Sequence, residues 1–173
     1  MATLLIKKLE KIDFSMSKVL IIGYGNPGRL DDGLGPAFAE AIQQYNINGV
    51  DTESNYQLTV EDAVDIAEHD IVIFADADVK GPEPFYFKKI TPAAVVNLSS
   101  HSIKPKSLIG LVKESFNKEV EAYVLGIRGY EFNNFEEKLS EKAVANLNKA
   151  VDFIKPLLKN ANFYEVRTES VIW

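Results

Sequence analysis

Lys18-Val-Leu-Ile-Ile-Gly-Tyr-Gly-Asn-Pro-Gly-Arg-Leu-Asp-Asp-Gly-Leu-Gly-Pro36 decides how the whole chain is read. The run up to Ile22 is short, apolar and rich in β-branched residues, which suits a strand buried on both faces, and it breaks at Gly23 into a glycine-rich loop. Beyond the loop Leu34, Phe38, Ala41, Ile42 and Tyr45 recur at helical spacing and predict a helix from about Asp32 to Asn46. Working outward, Asn48 to Glu53 fits a second strand and Val60 to Ala67 a short helix. Asp70-Ile-Val-Ile-Phe-Ala75 is again a continuous apolar strand of the parallel-sheet kind. Pro82-Glu-Pro84 interrupts the chain before Phe85-Tyr-Phe87, which reads as an edge strand because prolines suit an edge. A helix follows Pro105 on the spacing of Leu108, Leu111, Val112 and Phe116, then a strand from Val120 to Ile127. The strongest amphipathic pattern is the last: Ala143, Leu147, Ala150, Val151, Ile154 and Leu158, with Pro156 expected to kink or end the helix.

Strands and helices alternating at these lengths predict an α/β fold: a three-layer, open, twisted, mostly parallel sheet with helices on both faces. In that architecture ligands bind outside the carboxyl ends of the strands. At 173 residues the chain fits one domain. That domain is expected over 18–173, with residues 1–17 an extension to which no role is assigned. Asn160 to Trp173 carries Phe163, Tyr164, Val166, Val171, Ile172 and Trp173, which suit an added edge strand, packing on the core or contact with a substrate.

Nineteen Lys and Arg against 25 Asp and Glu leave a net charge of −6, the wrong sign for a surface that tracks phosphates, so nucleic acid is not expected as a partner. No apolar run approaches the ~20 residues of a membrane span, and no secretory signal opens the chain, so a cytoplasmic protein is expected. Cysteine is absent, which removes disulfides, thiolate metal sites and thiol nucleophiles; any metal must be held by oxygen and nitrogen.

Gly23-x-Gly25-x-x-Gly28 matches the dinucleotide-binding fingerprint to the letter. Asp31 and Asp32, however, stand where the pyrophosphate would lie. Two unit charges about 5 Å apart at an effective dielectric of about 20 repel by roughly 3 kcal/mol, so this loop disfavours phosphate. One of the two acids is expected to cap the first helix, leaving the other as a surplus acid at the carboxyl end of the first strand. Asp76 ends a buried strand and faces the same crevice, whereas Asp78 reads as a solvated loop residue, because Val79-Lys80-Gly81 already makes a turn. Of the two histidines, His69 fits a structural place at a helix end, and His101 lies in the polar loop Asn97-Leu-Ser-Ser-His-Ser-Ile103. Ser99, Ser100 and His101 are too close in sequence for a nucleophile and its base. Asp32, Asp76 and His101, from three loops at one sheet edge, would instead make a mixed oxygen and nitrogen site for a divalent transition metal.

The stretch from Val19 to Pro36 resembles the amino-terminal motif of the nickel-iron hydrogenase maturation endopeptidases. So, in the same order, do Tyr56-Gln57-Leu58, the strand end Ala75-Asp76-Ala77, Pro84-Phe85-Tyr86-Phe87 and Leu98-Ser-Ser-His101. The resemblance covers roughly residues 18–130. It implies an α/β endopeptidase that removes a carboxy-terminal extension from a hydrogenase large-subunit precursor once nickel is in place. It also implies that Asp32, Asp76 and His101 meet nickel supplied by that substrate, with Asn26 and Asp31 orienting the site or the peptide. A monomer is expected. Gly23 to Gly28 also resembles the start of peptidyl-tRNA hydrolases, but only over those six residues. The motif is compatible as well with a dinucleotide-binding domain, and the metal-site constellation with a non-enzymatic nickel or maturation scaffold.

Overall fold

The computed structural model describes residues 17–94, 103–160, 163 and 171–172. The apolar run and the first two loop residues form β1, Val19–Tyr24. A single 3-10 turn over Leu30–Gly33 leads into α1, Leu34–Gln43. There follow β2 (Val50–Asn55), α2 (Asp62–Ala67), β3 (Ile71–Asp78), β4 (Phe85–Ile90), α3 (Pro105–Phe116), β5 (Glu121–Arg128), α4 (Glu141–Asn160) and β6 (Val171–Ile172).

The strands lie in the order β2-β1-β3-β5-β4-β6. β2, β1, β3 and β5 run parallel, while β4 is antiparallel to both β5 and β6. The expected α/β sheet, mostly parallel with helices on both faces, is what forms. Its alternation divides two cores. Val19, Ile21, Ile71, Ile73, Tyr123 and Leu125 face α1 and α4, where Phe38, Ile42, Ala150 and Ile154 pack on them. Leu20, Ile22, Val72, Phe74 and Ala122 face α2 and α3, against Ile66, Leu108, Ile109 and Val112. At about 1.5–3 kcal/mol for each large side chain taken out of water, burial on both faces fixes the register of the central strands.

Three local expectations are corrected. Pro156 neither ends nor interrupts α4, which continues to Asn160. Both Pro156 and Asp152, whose carbonyl loses its helical donor, are exposed, so water can satisfy what the proline leaves open. β4 is not the edge strand, because β6 pairs outside it through Tyr86 with Ile172 and Phe87 with Val171; the prolines that suggested an edge precede the strand. The tail thus supplies an edge strand, one of the roles open to it. Finally, α1 starts at Leu34 rather than Asp32, with Gly33 at its N-cap, and neither Asp31 nor Asp32 caps it. Among the described residues no helix is long and apolar enough to cross a membrane.

The chain leaves β1 through α1 on one face to reach β2, then returns through α2 on the other face to reach β3, on the far side of β1. Neighbouring connections therefore part company between β1 and β3. The carboxyl ends of those strands open the crevice that this topology reserves for ligands.

Candidate functional site

Tyr24 closes β1 and Asp76 lies near the end of β3, one step beyond the paired Gly23 and Ala75. The Tyr24 hydroxyl donates to the Asp76 carboxylate, and the Ala77 N–H donates to it as well. Burial pushes the Asp76 carboxyl up to about 6; the two donors oppose the rise, and the charges of Asp32 and Asp78 add to it. Burial, and then the neighbouring Asp76, likewise raise the Tyr24 phenol, which keeps its proton and stays a donor.

Asp32 reaches this crevice from the 3-10 turn. It is half-buried, and its Oδ2 accepts the Asn26 N–H at 3.1 Å, while Asn26 Oδ1 accepts the Gly28 N–H at 2.9 Å. The loop is thereby folded onto its own acid. Asp78 is not the solvated loop residue expected: it closes β3, half-buried, and its carboxylate accepts the N–H groups of Lys80 at 2.8 Å and Gly81 at 2.6 Å and also the Tyr86 hydroxyl. Burial and Asp78 push the Tyr86 phenol up to about 12. The Tyr86 ring lies across β5 at Gly126, where an added Cβ would fall 2.2 Å from the ring. Three carboxylates and two phenols therefore line one crevice.

The neighbouring acid does different work. Asp31 is fully buried, and its carboxylate accepts the N–H groups of Tyr130 at 2.8 Å, Glu131 at 2.9 Å and Ser140 at 2.7 Å, and the Ser140 hydroxyl at 2.8 Å. Burial alone would raise its carboxyl, but the four donors outweigh it and hold it below the ordinary carboxylate range. Asp31 pins the motif loop to the segment between β5 and α4.

The glycines of the motif serve packing. A Cβ at Gly23 would meet the Gly35 carbonyl oxygen at 2.1 Å, one at Gly25 the Asp32 carbonyl oxygen at 2.0 Å, and one at Gly35 the carbonyl oxygens of Ala75 and Tyr24 at 2.4 Å. They let the start of α1 sit directly on the ends of β1 and β3, in the space the dinucleotide reading gives to a pyrophosphate.

Of the residues singled out in the sequence, Asp32 and Asp76 share the crevice, with Asn26 folding the loop of the first. His101, with Ser99 and Ser100, lies outside the described residues. Among the described residues no group of three or more His, Asp and Glu is arranged to hold a metal ion. His69 is structural: it is buried, its Nδ1 lies 2.7 Å from the Asp65 carbonyl and its Nε2 2.9 Å from Asp51 Oδ2. Sequence reasoning missed Tyr24 and Tyr86. Tyr86 had a signal, since alternation sends Phe85 and Phe87 to the core and turns the one hydroxylated ring of the triplet the other way.

The same architecture occurs in solved structures. The hydrogenase maturating endopeptidase HybD from E. coli superposes with a TM-score of 0.66 at 19% identity, over 84% of this chain and 94% of that one. The [NiFe] hydrogenase maturation protease HycI from Thermococcus kodakarensis gives 0.65 at 23% identity, over 88% and 99%. This chain has the hydrogenase maturation endopeptidase fold. A hydrogenase 2 maturation peptidase from a Thaumarchaeota archaeon shares it too, with a TM-score of 0.59 at 21% identity over 82% and 99%. No model of a known protein family matches the sequence, and no curated protein matches it. The match takes in 94–99% of those chains and 82–88% of this one.

Proposed function

We propose that the chain is an endopeptidase that removes the carboxy-terminal extension of a nickel-iron hydrogenase large-subunit precursor after nickel insertion. One observation carries the reading. Asp76, half-buried at the switch point of a maturation-endopeptidase fold, faces the charges of Asp32 and Asp78. Such a group of acids is poised for a cation that arrives with something else, and nickel held by the precursor has the right charge and suits oxygen and nitrogen ligands. His101, which precedes α3 in the sequence, is proposed as the third ligand. The donor set fits, because two carboxylates and one imidazole leave positions for the groups the precursor brings.

Bound there, the metal would polarise the scissile carbonyl or lower the pKa of a water. The rest falls to the chain itself. Asp76 holds a proton up to about pH 6 and gives it up to become a ligand, while the Tyr24 hydroxyl and the Ala77 N–H keep its carboxylate oriented. Asn26 sets the angle of Asp32, and Asp31 fixes the loop that carries both. A site that is incomplete without its substrate's metal cuts only precursor that has been loaded, which makes cleavage a check on insertion.

The test is incubation of the purified chain with nickel-loaded and nickel-free precursor, reading the carboxy-terminal mass change. Cleavage of the loaded form alone is expected, abolished in Asp32→Ala, Asp76→Ala and His101→Ala. Wild-type processing by all three variants would remove the site assignment. Binding of the loaded precursor without cleavage would favour a scaffold.

A further inference from the structure

β2 is the outermost strand of the sheet, and two cavities run along its outer side, between it and α1. One, of about 490 Å³, reaches from Pro27 and Gly33 past Glu40 and Gln43 to Ser54 and Leu139. The other, of about 280 Å³, continues from Gln43 along Ile47, Thr52 and Glu53. Gln43 lines both, so the two cavities adjoin and together make up a groove along the strand. Its upper end touches Gly33, next to Asp32.

The strand beside this groove offers its main chain. The Gly49 carbonyl accepts the Val19 N–H and the Asn55 carbonyl accepts the Gly25 N–H, so the odd-numbered residues of β2 are aimed at β1. Alternation along the strand then turns the N–H and C=O of Thr52 and Ser54 outward, and among the described residues no strand pairs with that edge. Both residues line the groove. Charges beside this edge are mainly acidic on both faces of the sheet: Glu40 and Glu137 against Lys138 on the α1 side, and on the α2 side Glu53 and Asp51, the latter paired with His69.

We propose that an extended, basic segment of the precursor's carboxy-terminal extension adds as a strand to the outer edge of β2, hydrogen-bonded to Thr52 and Ser54. This rests on the endopeptidase reading. Outward main-chain donors and acceptors at a two-residue spacing fit an extended chain rather than a folded surface, and the acidic surroundings set its charge. An added strand would lie three strand spacings from β3, about 14 Å, a gap that about four extended residues span. The segment on β2 is therefore separated from the scissile bond by about four residues or more. The extension can supply such a length of free chain, because it ends in a terminus, whereas the other side of the bond leads back into the folded subunit.

The test uses the full chain, nickel-loaded precursor and a synthetic peptide identical to the precursor's extension. Ser54→Pro removes an outward N–H without touching the bonds to β1, and Ser54→Ala removes only the side chain. The expected result is a rise in KM of at least about fivefold in Ser54→Pro with kcat unchanged, and none in Ser54→Ala. In the wild type the peptide should slow amide exchange at Thr52 and Ser54, a readout that holds even if Ser54→Pro fails to fold. A wild-type KM in folded Ser54→Pro, or unchanged exchange with excess peptide, would overturn the groove assignment. The two readings fail separately: protection without cleavage of loaded precursor removes the endopeptidase and keeps the groove, while cleavage without protection does the reverse. Protection that grows with protein concentration in the absence of peptide would assign the edge to a second copy of the chain and overturn the proposal.

Discussion

Asp31 and Asp32 are adjacent in sequence and opposite in consequence. Replacing Asp31 with Ala removes the acceptor of three part-buried N–H groups and a hydroxyl at once, so a loss of about 3 kcal/mol or more in denaturant unfolding is expected. Asp32→Ala forfeits one hydrogen bond from a half-buried carboxylate and should stay within about 1.5 kcal/mol of wild type, yet process no precursor. Equal losses of stability in the two variants would contradict this division. The pH dependence of Asp31 also differs in sign from that of Asp76. Asp31 lies below its ordinary range, so its contribution is present above about pH 4 and is lost as the pH falls through its folded value. Asp76 is raised to about 6, so the fold is favoured below about pH 4 and loses that advantage as the pH rises through 6. Two units amount to about 2–3 kcal/mol. Asp76→Asn, which still accepts from Tyr24, should therefore raise the thermal midpoint at pH 7.5, change it little at pH 4, and abolish processing. A variant less stable than wild type at pH 7.5 would mean that Asp76 meets a cation of the protein itself.

At the scale of elements, the site exists because α1 can touch the ends of two strands. Gly35 makes that contact, and its added Cβ would stand 2.4 Å from two backbone carbonyl oxygens, neither of which can swing away. Gly35→Ala should cost at least about 3 kcal/mol and lift α1 from Tyr24 and Asp76, whereas Gly126→Ala need only move the Tyr86 ring. Guanidinium unfolding of the two variants checks the contrast, and a neutral Gly35→Ala would show that the packing is looser than these distances. The strands carrying the site were legible in the sequence, since Val19 to Ile22 and Ile71 to Ala75 are apolar without interruption, as burial on both faces demands. The helix of Ala143 to Leu158 was legible for its period, but Pro156 misled because a proline breaks a helix only where its lost bond cannot be replaced. The place of β4 was illegible because its outer neighbour, β6, is a two-residue strand at the far end of the chain. The same distance in sequence hid Asp31, whose four donors lie about a hundred residues away, so local reading gave it a helix to cap. Asp32 and Asp76 were visible because both follow a buried strand, and such ends converge in this fold whatever lies between them. Tyr24 stood in plain sight inside the motif, but its role needs Asp76, a partner 52 positions further on.

For the whole molecule, the fold leaves the choice of ligand open, and the crevice between β1 and β3 decides it. A switch point of this kind receives dinucleotides when a glycine turn delivers a pyrophosphate to a helix N-terminus. Here the glycine turn is present and the delivery is blocked twice: Gly23, Gly25 and Gly35 are closed against backbone, and the opening beyond them holds Asp32, Asp76 and Asp78. The consequence is measurable without any substrate. A ligand with a dissociation constant of about 1 mM, supplied at about 10 mM, would stabilise the fold by about 1.4 kcal/mol through mass action. For a domain of this size that is a rise of about 4 °C in the thermal midpoint. NAD at about 10 mM should leave the midpoint of the wild-type protein where it was, because the repulsion acts on the pyrophosphate before any contact with the rings can form. A rise of several degrees with NAD, absent with nicotinamide alone, would place phosphate in the crevice and remove the case for an acidic cation site there.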